Sequence, residues 1–307
     1  MNSDMNADSG LDHSACSACG ALQAPFLEAR DYNRRISDEI FRYARCERCG
    51  LVSLVNVPND LGRYYASEYY TLPESIADIE RGAEHDRYKI EIVSRYASGG
   101  RLLEIGPSWG AFCLLARRAG FEVEAIERDP RCCEFLATKI NVHAINCADE
   151  VAALAQASAP DVIALWHVIE HLRDPWALLA RSAEKLASGG IIVVATPNPL
   201  AFQFRLLGRF WTHVDAPRHV HLLPSALLRG KMRTLGLEEV LCTTTDVGSL
   251  GWNSFGWSWS FANFATPKTM KRGLRLTGRL LAGLLAPIEG REGFGSAYTA
   301  VYRKVMP

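Results

Sequence analysis

The sequence predicts an α/β fold in which a doubly wound, mostly parallel sheet follows a small cysteine-bounded module. Three observations predict it. Between residues 101 and 195, short apolar runs alternate with amphipathic stretches, the pattern of parallel strands joined by crossover helices. The first apolar run leads directly into a glycine turn, Gly106-Pro107-Ser108-Trp109-Gly110. Four cysteines near the N-terminus stand in two Cys-x-x-Cys pairs.

The chain of 307 residues has room for one large domain and an accessory module. Its 34 lysines and arginines balance 34 acids, so no global field draws it to nucleic acid, and no nucleic-acid partner is expected. Residues 1–14 are polar and acidic and read as a disordered tail without the apolar segment of a secretory signal. No apolar run approaches the roughly 20 residues that span a bilayer. An odd count of nine cysteines adds to the expectation of a reducing, cytoplasmic setting without a disulfide framework. Cys113, Cys132, Cys133, Cys147 and Cys242 sit beside apolar residues and read as small buried hydrophobes. Oligomeric state is not legible.

In chain order, residues 15–57 form the cysteine module. Cys16-x-x-Cys19 and Cys46-x-x-Cys49 are two knuckles, each followed by glycine (Gly20, Gly50). Such spacing brings four thiolates to one tetrahedral Zn²⁺, a closed and therefore structural site. Redox-active thiols would need a thioredoxin-like context that is absent. Residues 58–98 read as a helical connector, with Ile76, Ile79, Ile90, Val93 and Ala97 at helical spacing. From residue 99 a larger domain begins, with strands expected at 101–105, 121–126, 141–145, 161–166 and 191–195. Helices are expected at 112–119, 130–139, 151–156 and 175–186, and late strands at 240–245 and 298–303. An aromatic and basic helical insertion occupies about 250–290.

Glycine at the end of the first strand lets the backbone turn sharply and approach a ligand. Glu127 ends the next strand about twenty residues on, where such folds hold a ribose between the oxygens of an acid. The spacing Gly-x-x-x-Gly is not the dinucleotide fingerprint, and a ligand-free strand-to-helix turn is an equal reading of the loop alone.

The wider pattern separates the two. Leu103-Glu104-Ile105-Gly106-Pro107-Ser108-Trp109-Gly110, then Ala125-Ile126-Glu127, then the run from Asp161 through His167-Val168-Ile169-Glu170-His171 to Asp174-Pro175, then Gly189-Gly190-Ile191 to Thr196-Pro197-Asn198 stand in order. This series resembles the motifs of class I S-adenosylmethionine-dependent methyltransferases over about residues 98–245. Ser108, in place of the family's middle glycine, is a departure. The resemblance implies a seven-stranded Rossmann-like sheet whose last strand is antiparallel. It implies S-adenosylmethionine as cofactor, with Gly106, Ser108 and Gly110 bordering it, Glu104 near its amino-acid end and Glu127 on its ribose. Asp149 is the candidate adenine neighbour, although a helix N-cap is at least as good a reading. His167 would lie beside the reacting methyl. The four-cysteine segment resembles one that precedes some sugar and natural-product methyltransferases, and the paired tyrosines Tyr64-Tyr65 and Tyr69-Tyr70 extend that likeness. Tyr69 is a candidate acceptor contact. The acceptor implied is a small molecule, whether sugar, lipid-linked or natural-product intermediate.

His167, Glu170 and His171 also spell H-x-x-E-H, a zinc-peptidase pattern. That reading needs a helix long enough to put both histidines on one face, and the cluster instead falls between a strand and Asp174-Pro175. A non-catalytic binding module is a further alternative. Beyond the fifth strand, Trp211-Thr212-His213-Val214-Asp215-Ala216-Pro217-Arg218-His219 resembles an acceptor-side stretch of the same methyltransferases. There His219 is the leading base, since imidazole titrates near neutrality. Arg218 and Asp215 are candidate acceptor contacts. Finally, in 268–286, Lys268, Lys271, Arg272, Arg275 and Arg279 fall on one helical face and Met270, Leu274, Leu281, Leu284 and Leu285 on the other. This describes either an ordinary core-packed helix or a peripheral membrane contact.

Overall fold

The computed structural model describes residues 15–65, 71–265 and 268–305. The sequence-predicted tail (1–14) and Tyr69 lie outside them. Strands β1 (Gln23–Ala29), β2 (Phe41–Cys46) and β3 (Val52–Leu54) form an antiparallel meander. Two helices follow, α1 (Ile76–His85) and α2 (Arg87–Ser94), the first opened by a reciprocal cap between Ser75 and Asp78.

The alternating region then builds β4 (Gly100–Ile105), α3 (Ala111–Arg118), β5 (Phe121–Glu127), α4 (Pro130–Phe135), β6 (His143–Asn146) and α5 (Glu150–Gln156). It continues through β7 (Val162–Trp166), α6 (Pro175–Lys185), β8 (Ile191–Pro197) and α7 (Phe202–Leu207). The chain closes with β9 (His221–Leu222), α8 (Ser225–Thr234), β10 (Leu237–Thr243), α9 (Val247–Ala262), α10 (Lys268–Glu289) and β11 (Ala297–Lys304).

Seven strands make one sheet in the order β10-β11-β8-β7-β4-β5-β6. The pairs of β4, β5, β6, β7 and β8 are parallel, and β11 runs antiparallel to both its neighbours. All five residues of β7 and all seven of β8 are buried, as both faces of a helix-covered parallel sheet require. At about 1.5–3 kcal/mol for each large aliphatic side chain, these two strands are a main source of stability. The order of strands reverses at β4, where the chain departs first toward β6 and then toward β8. Their carboxyl ends meet at a crevice, the usual ligand site of such sheets.

The N-terminal strands are continued by β9, which pairs with β3 and makes a second sheet of order β1-β2-β3-β9. Phe41, Tyr43, Val52 and Leu54 of this sheet share an apolar cluster with Tyr64, Phe204, Trp211, Val214 and Leu222. Cys16, Cys46 and Leu51 join the main core beside Leu223 and Leu228. The cysteine module is thereby fastened to the larger domain along its whole inner face.

Candidate active site

The glycine turn between β4 and α3 holds three residues in the left-handed region, Gly106 (φ +69°), Ser108 (φ +56°) and Gly110 (φ +89°). A Cβ on Gly106 would sit 2.7 Å from Cγ2 of Val168. The loop therefore packs directly against the turn that follows β7, which only a missing side chain allows. Glu127, at the end of β5, lies beneath the loop. Its carboxylate accepts the backbone N–H of Ser108 (3.0 Å) and of Asp129 (2.8 Å). Burial pushes this carboxyl up, and those N–H groups pull it part of the way back.

Glu104 is buried in β4 and accepts a bond from Cys113 Sγ at 2.9 Å. Burial lifts its carboxyl to about 7, against the opposing charge of Lys89. Asp149 takes the N-cap reading, as one oxygen accepts the N–H groups of Val151 and Ala152, both at 3.0 Å, at the start of α5.

Beyond β7, His167 adopts φ +57°, costly backbone for a residue with a side chain and characteristic of functional sites. Its N–H is anchored on the Ala195 carbonyl (2.9 Å) and its ring lies 4.6 Å from that of Trp252. Residues Ile169–His171 form a single 3₁₀ turn, so the helix on which the peptidase reading depends is absent. Glu170, fully buried, accepts the Thr196 hydroxyl at 3.0 Å. Its other oxygen stands 3.4 Å from His167 Nδ1, at ion-pair distance but not aligned as a hydrogen bond. Burial alone would raise this carboxyl, but the facing His167 and the nearby His171 and His219 outweigh it and hold Glu170 low and ionised.

Two further histidines complete the cluster. His219 Nδ1 lies 2.8 Å from the His213 carbonyl. A carbonyl only accepts, so Nδ1 carries a proton, and in the neutral ring Nε2 is the nitrogen with the lone pair. His171 Nδ1 lies 3.1 Å from the Arg218 carbonyl and 2.8 Å from the Tyr65 hydroxyl. Its ring stands edge-on to that of His219 at 4.6 Å. Burial and the neighbouring His219 hold His171 down to about 4, so it is neutral near pH 7.

His167, Glu170, His171, His213 and His219 line one cavity of about 540 Å³, together with Trp252, Phe255 and Trp259 of α9 and Asn33 and Arg34 from the N-terminal module; the glycine turn, Glu104, Glu127 and Asp149 are not among its lining. No motif or spacing marks Asn33 or Arg34. They reach the site because the β1–β2 connection folds over it, with Asn33 Nδ2 donating to the Thr212 carbonyl at 2.8 Å.

Asp215 also lines the cavity. Arg218, expected as an acceptor contact, is instead fully buried. Its guanidinium donates to Asp31 (2.6 Å) and to Asp215 (2.7 and 2.9 Å). Burial opposes the guanidinium charge, but the two carboxylates overcome that and hold Arg218 more firmly protonated than usual. It clamps the module to the domain, and its donors are taken.

In the module, Cys16 Sγ lies 3.6 Å from Cys49 Sγ, and Cys19 Sγ 3.5 Å from Cys46 Sγ. All four sulfurs fall within 4.8 Å of one another. A tetrahedron with metal–sulfur bonds of about 2.3 Å has edges of about 3.8 Å. Burial pushes the Cys16 and Cys49 thiols up, against the backbone N–H groups of Ala18 and Cys19 that face Cys16 and that of Leu51 that faces Cys49, whereas the Ala21 N–H brings Cys19 down to about 6.

Residues 81–242 match the family described as a methyltransferase domain. The ubiquinone biosynthesis O-methyltransferase of Cereibacter sphaeroides is 30% identical over 177 residues, 53% of this chain and 68% of that protein. That of Caulobacter is 33% identical over 105 residues, 33% of this chain and 42% of its own. Among solved structures, Haemonchus contortus phosphoethanolamine N-methyltransferase 2, in complex with phosphomonomethylethanolamine and S-adenosylhomocysteine, shares the fold. Its TM-score is 0.51 at 14% identity, over 80% of this chain and 60% of that one. The strand order with antiparallel β11, the glycine turn above Glu127 and the matched family span leave one classification: the chain belongs to the class I S-adenosylmethionine-dependent methyltransferases and is an enzyme acting on a small molecule.

Proposed function

We propose that the enzyme methylates a hydroxyl of a flat, largely apolar acceptor, a lipid-linked or natural-product intermediate rather than a bare sugar. His219 is the general base in this reading. The carrying observation is the pinned tautomer of His219 in a cavity walled by three aromatic rings, which leaves Nε2 able to accept a proton. The relatives' name as O-methyltransferases of ubiquinone biosynthesis supports oxygen as the acceptor atom.

The loop of Gly106, Ser108 and Gly110, with Glu127 below it and Glu104 on the adjoining strand, would hold the cofactor. When bound, the cofactor supplies a sulfonium methyl for in-line displacement. The protein's own work is placement and proton management. Trp252, Phe255 and Trp259 supply aromatic wall against which a planar ring would pack. His219 takes the hydroxyl proton, and ionised Glu170 offsets the resulting imidazolium charge. His171, neutral and braced by Tyr65, keeps the His219 ring oriented.

The test is methyl turnover on a panel of phenols, prenylated phenols and sugar nucleotides, read as S-adenosylhomocysteine formed. H219Q should lower kcat by about 10²–10⁴-fold with cofactor affinity, measured by calorimetry, within about twofold of the parent. Full kcat in H219Q removes His219 as base.

The four cysteines, by this proposal, hold one structural Zn²⁺, supported by sulfur spacing close to that of a ZnS₄ tetrahedron. Purified chain should contain one zinc, lost in C46S, and chelation should lower the melting temperature. A folded, active and zinc-free parent would refute the assignment. Nine cysteines without a disulfide support a cytoplasmic setting.

A further inference from the structure

Helices α9 and α10 form a hairpin inserted between β10 and β11. Its inner face is well occupied. A Cβ on Gly278 would lie 2.6 Å from the Trp257 carbonyl oxygen, the Arg275 guanidinium stacks 3.8 Å above the Trp259 ring, and Trp257 donates to Glu289 at 2.9 Å. Small residues, Gly278 and Ala282, are turned inward. Three leucines are turned outward: Leu276 is 58% exposed, Leu280 64% and Leu284 77%. Spaced four apart, they form one stripe within an arc of about 80°, with exposed Arg272 and Arg279 along one edge. This corrects the core-packed reading of the helix, since Leu284 and Met270, placed on its apolar face, are both mostly exposed.

The charge of this segment is lopsided. Between residues 247 and 288 there is no aspartate or glutamate, yet Lys268, Lys271, Arg272, Arg275 and Arg279 all fall there. The rest of the chain carries 29 cations against 34 acids. Isolated exposed leucines are ordinary, but a leucine stripe bordered by arginines, on a hairpin whose single acid, Glu289, is buried, is what an anionic lipid surface selects.

We infer that the outer face of α10 seats on the surface of an anionic bilayer, its leucines among the acyl chains and its arginines at the headgroups. No helix among the described residues is long and apolar enough to cross the membrane, so the contact is peripheral. A second copy of the chain is the poorer occupant, because two faces of like positive charge would repel. The inner side of the same hairpin carries Trp252, Phe255 and Trp259 of the cavity wall. Docking would bring that wall close to the bilayer, a consequence that rests on the proposed acceptor. Vesicle binding reads the surface alone and turnover reads the site, so the two ideas fail separately.

The experiment is co-sedimentation of the full chain with vesicles of phosphatidylcholine, with and without one-third phosphatidylglycerol, at low and high salt. Binding should be at least about tenfold stronger to the anionic vesicles and weaken in salt. The triple variant L276S/L280S/L284S and the pair R272Q/R279Q should each lose at least about tenfold, with cofactor binding by calorimetry unchanged. Should the triple variant not fold, the arginine pair alone decides the matter. A parent chain that stays in the supernatant, or folded variants that bind like the parent, would overturn the inference. So would a leucine-dependent dimer that ignores vesicles, which assigns the face to a second copy.

Discussion

Arg218 shows how a residue of apparent catalytic type is diverted to structure. It stands in a loop of histidines and acids, yet its guanidinium is buried against Asp31, 187 positions away, and against Asp215. Removing it leaves two carboxylates, that of Asp31 fully buried, facing each other without their shared cation. We expect R218Q to lose about 3–5 kcal/mol in urea unfolding. R218K should recover little, because an ammonium does not reproduce the fork that engages both acids. A stable R218Q with a raised KM for acceptor would instead return Arg218 to the binding machinery. His219, read from its residue type and position as a base, remains a base by the proposal above, with Nδ1 2.8 Å from the His213 carbonyl.

At the scale of the element, the turn from β4 into α3 unites two demands, left-handed backbone and close approach. Gly106 faces both, since its φ is +69° and the added Cβ meets Val168. Gly120 has φ +92° but nothing within 4 Å of its added Cβ. G120A should therefore cost only the left-handed penalty, about 1–2 kcal/mol, and leave cofactor affinity intact. G106A should cost more and weaken cofactor binding at least about tenfold, because it presses the loop against the turn carrying His167. Equal calorimetric affinities for the two variants would show that the contact with Val168 has no bearing on the ligand.

For the molecule as a whole, acid stability follows from the buried charges. His171 and His213 are held down by burial and by His219, to about 4 and about 3 against an ordinary 6.5. The unfolded chain binds those protons first, so their contribution is full above pH 6.5 and is lost as pH falls toward the folded values. Glu104, raised to about 7 from 4.5 by burial, works the other way between pH 4.5 and 7 and offsets part of that loss. Below pH 4.5 Glu104 is protonated in both states and offsets nothing. Glu170 and Asp215, held below their ordinary values, then add their own losses. Urea midpoints should fall gently from pH 7 to 4.5, where Glu104 offsets one of the two histidines, and steeply from 4.5 to 3, by about 1.4 kcal/mol per pH unit for each net proton taken up on unfolding. H213N should flatten the lower limb. A midpoint that holds at pH 3.5 would contradict this account.

The sequence by itself determined the doubly wound sheet, the glycine turn with Glu127 ending the next strand, and the four-cysteine pattern, each written in local terms: apolar periodicity, a strand running into glycine, Cys-x-x-Cys spacing. The methyltransferase class was legible through the resemblance of the whole motif series to that family. Three things came only with the tertiary structure. The N-terminal module takes its fourth strand from His221–Leu222 and lends Asn33 and Arg34 to the cavity. Arg218 is spent on Asp31. Leu276, Leu280 and Leu284 of α10 face outward, because Gly278 and Ala282 let the helix lie close on α9. Periodicity names the two faces of a helix, but which face is buried depends on the shape and charge of what lies opposite, and that partner is set by chain segments far away in sequence.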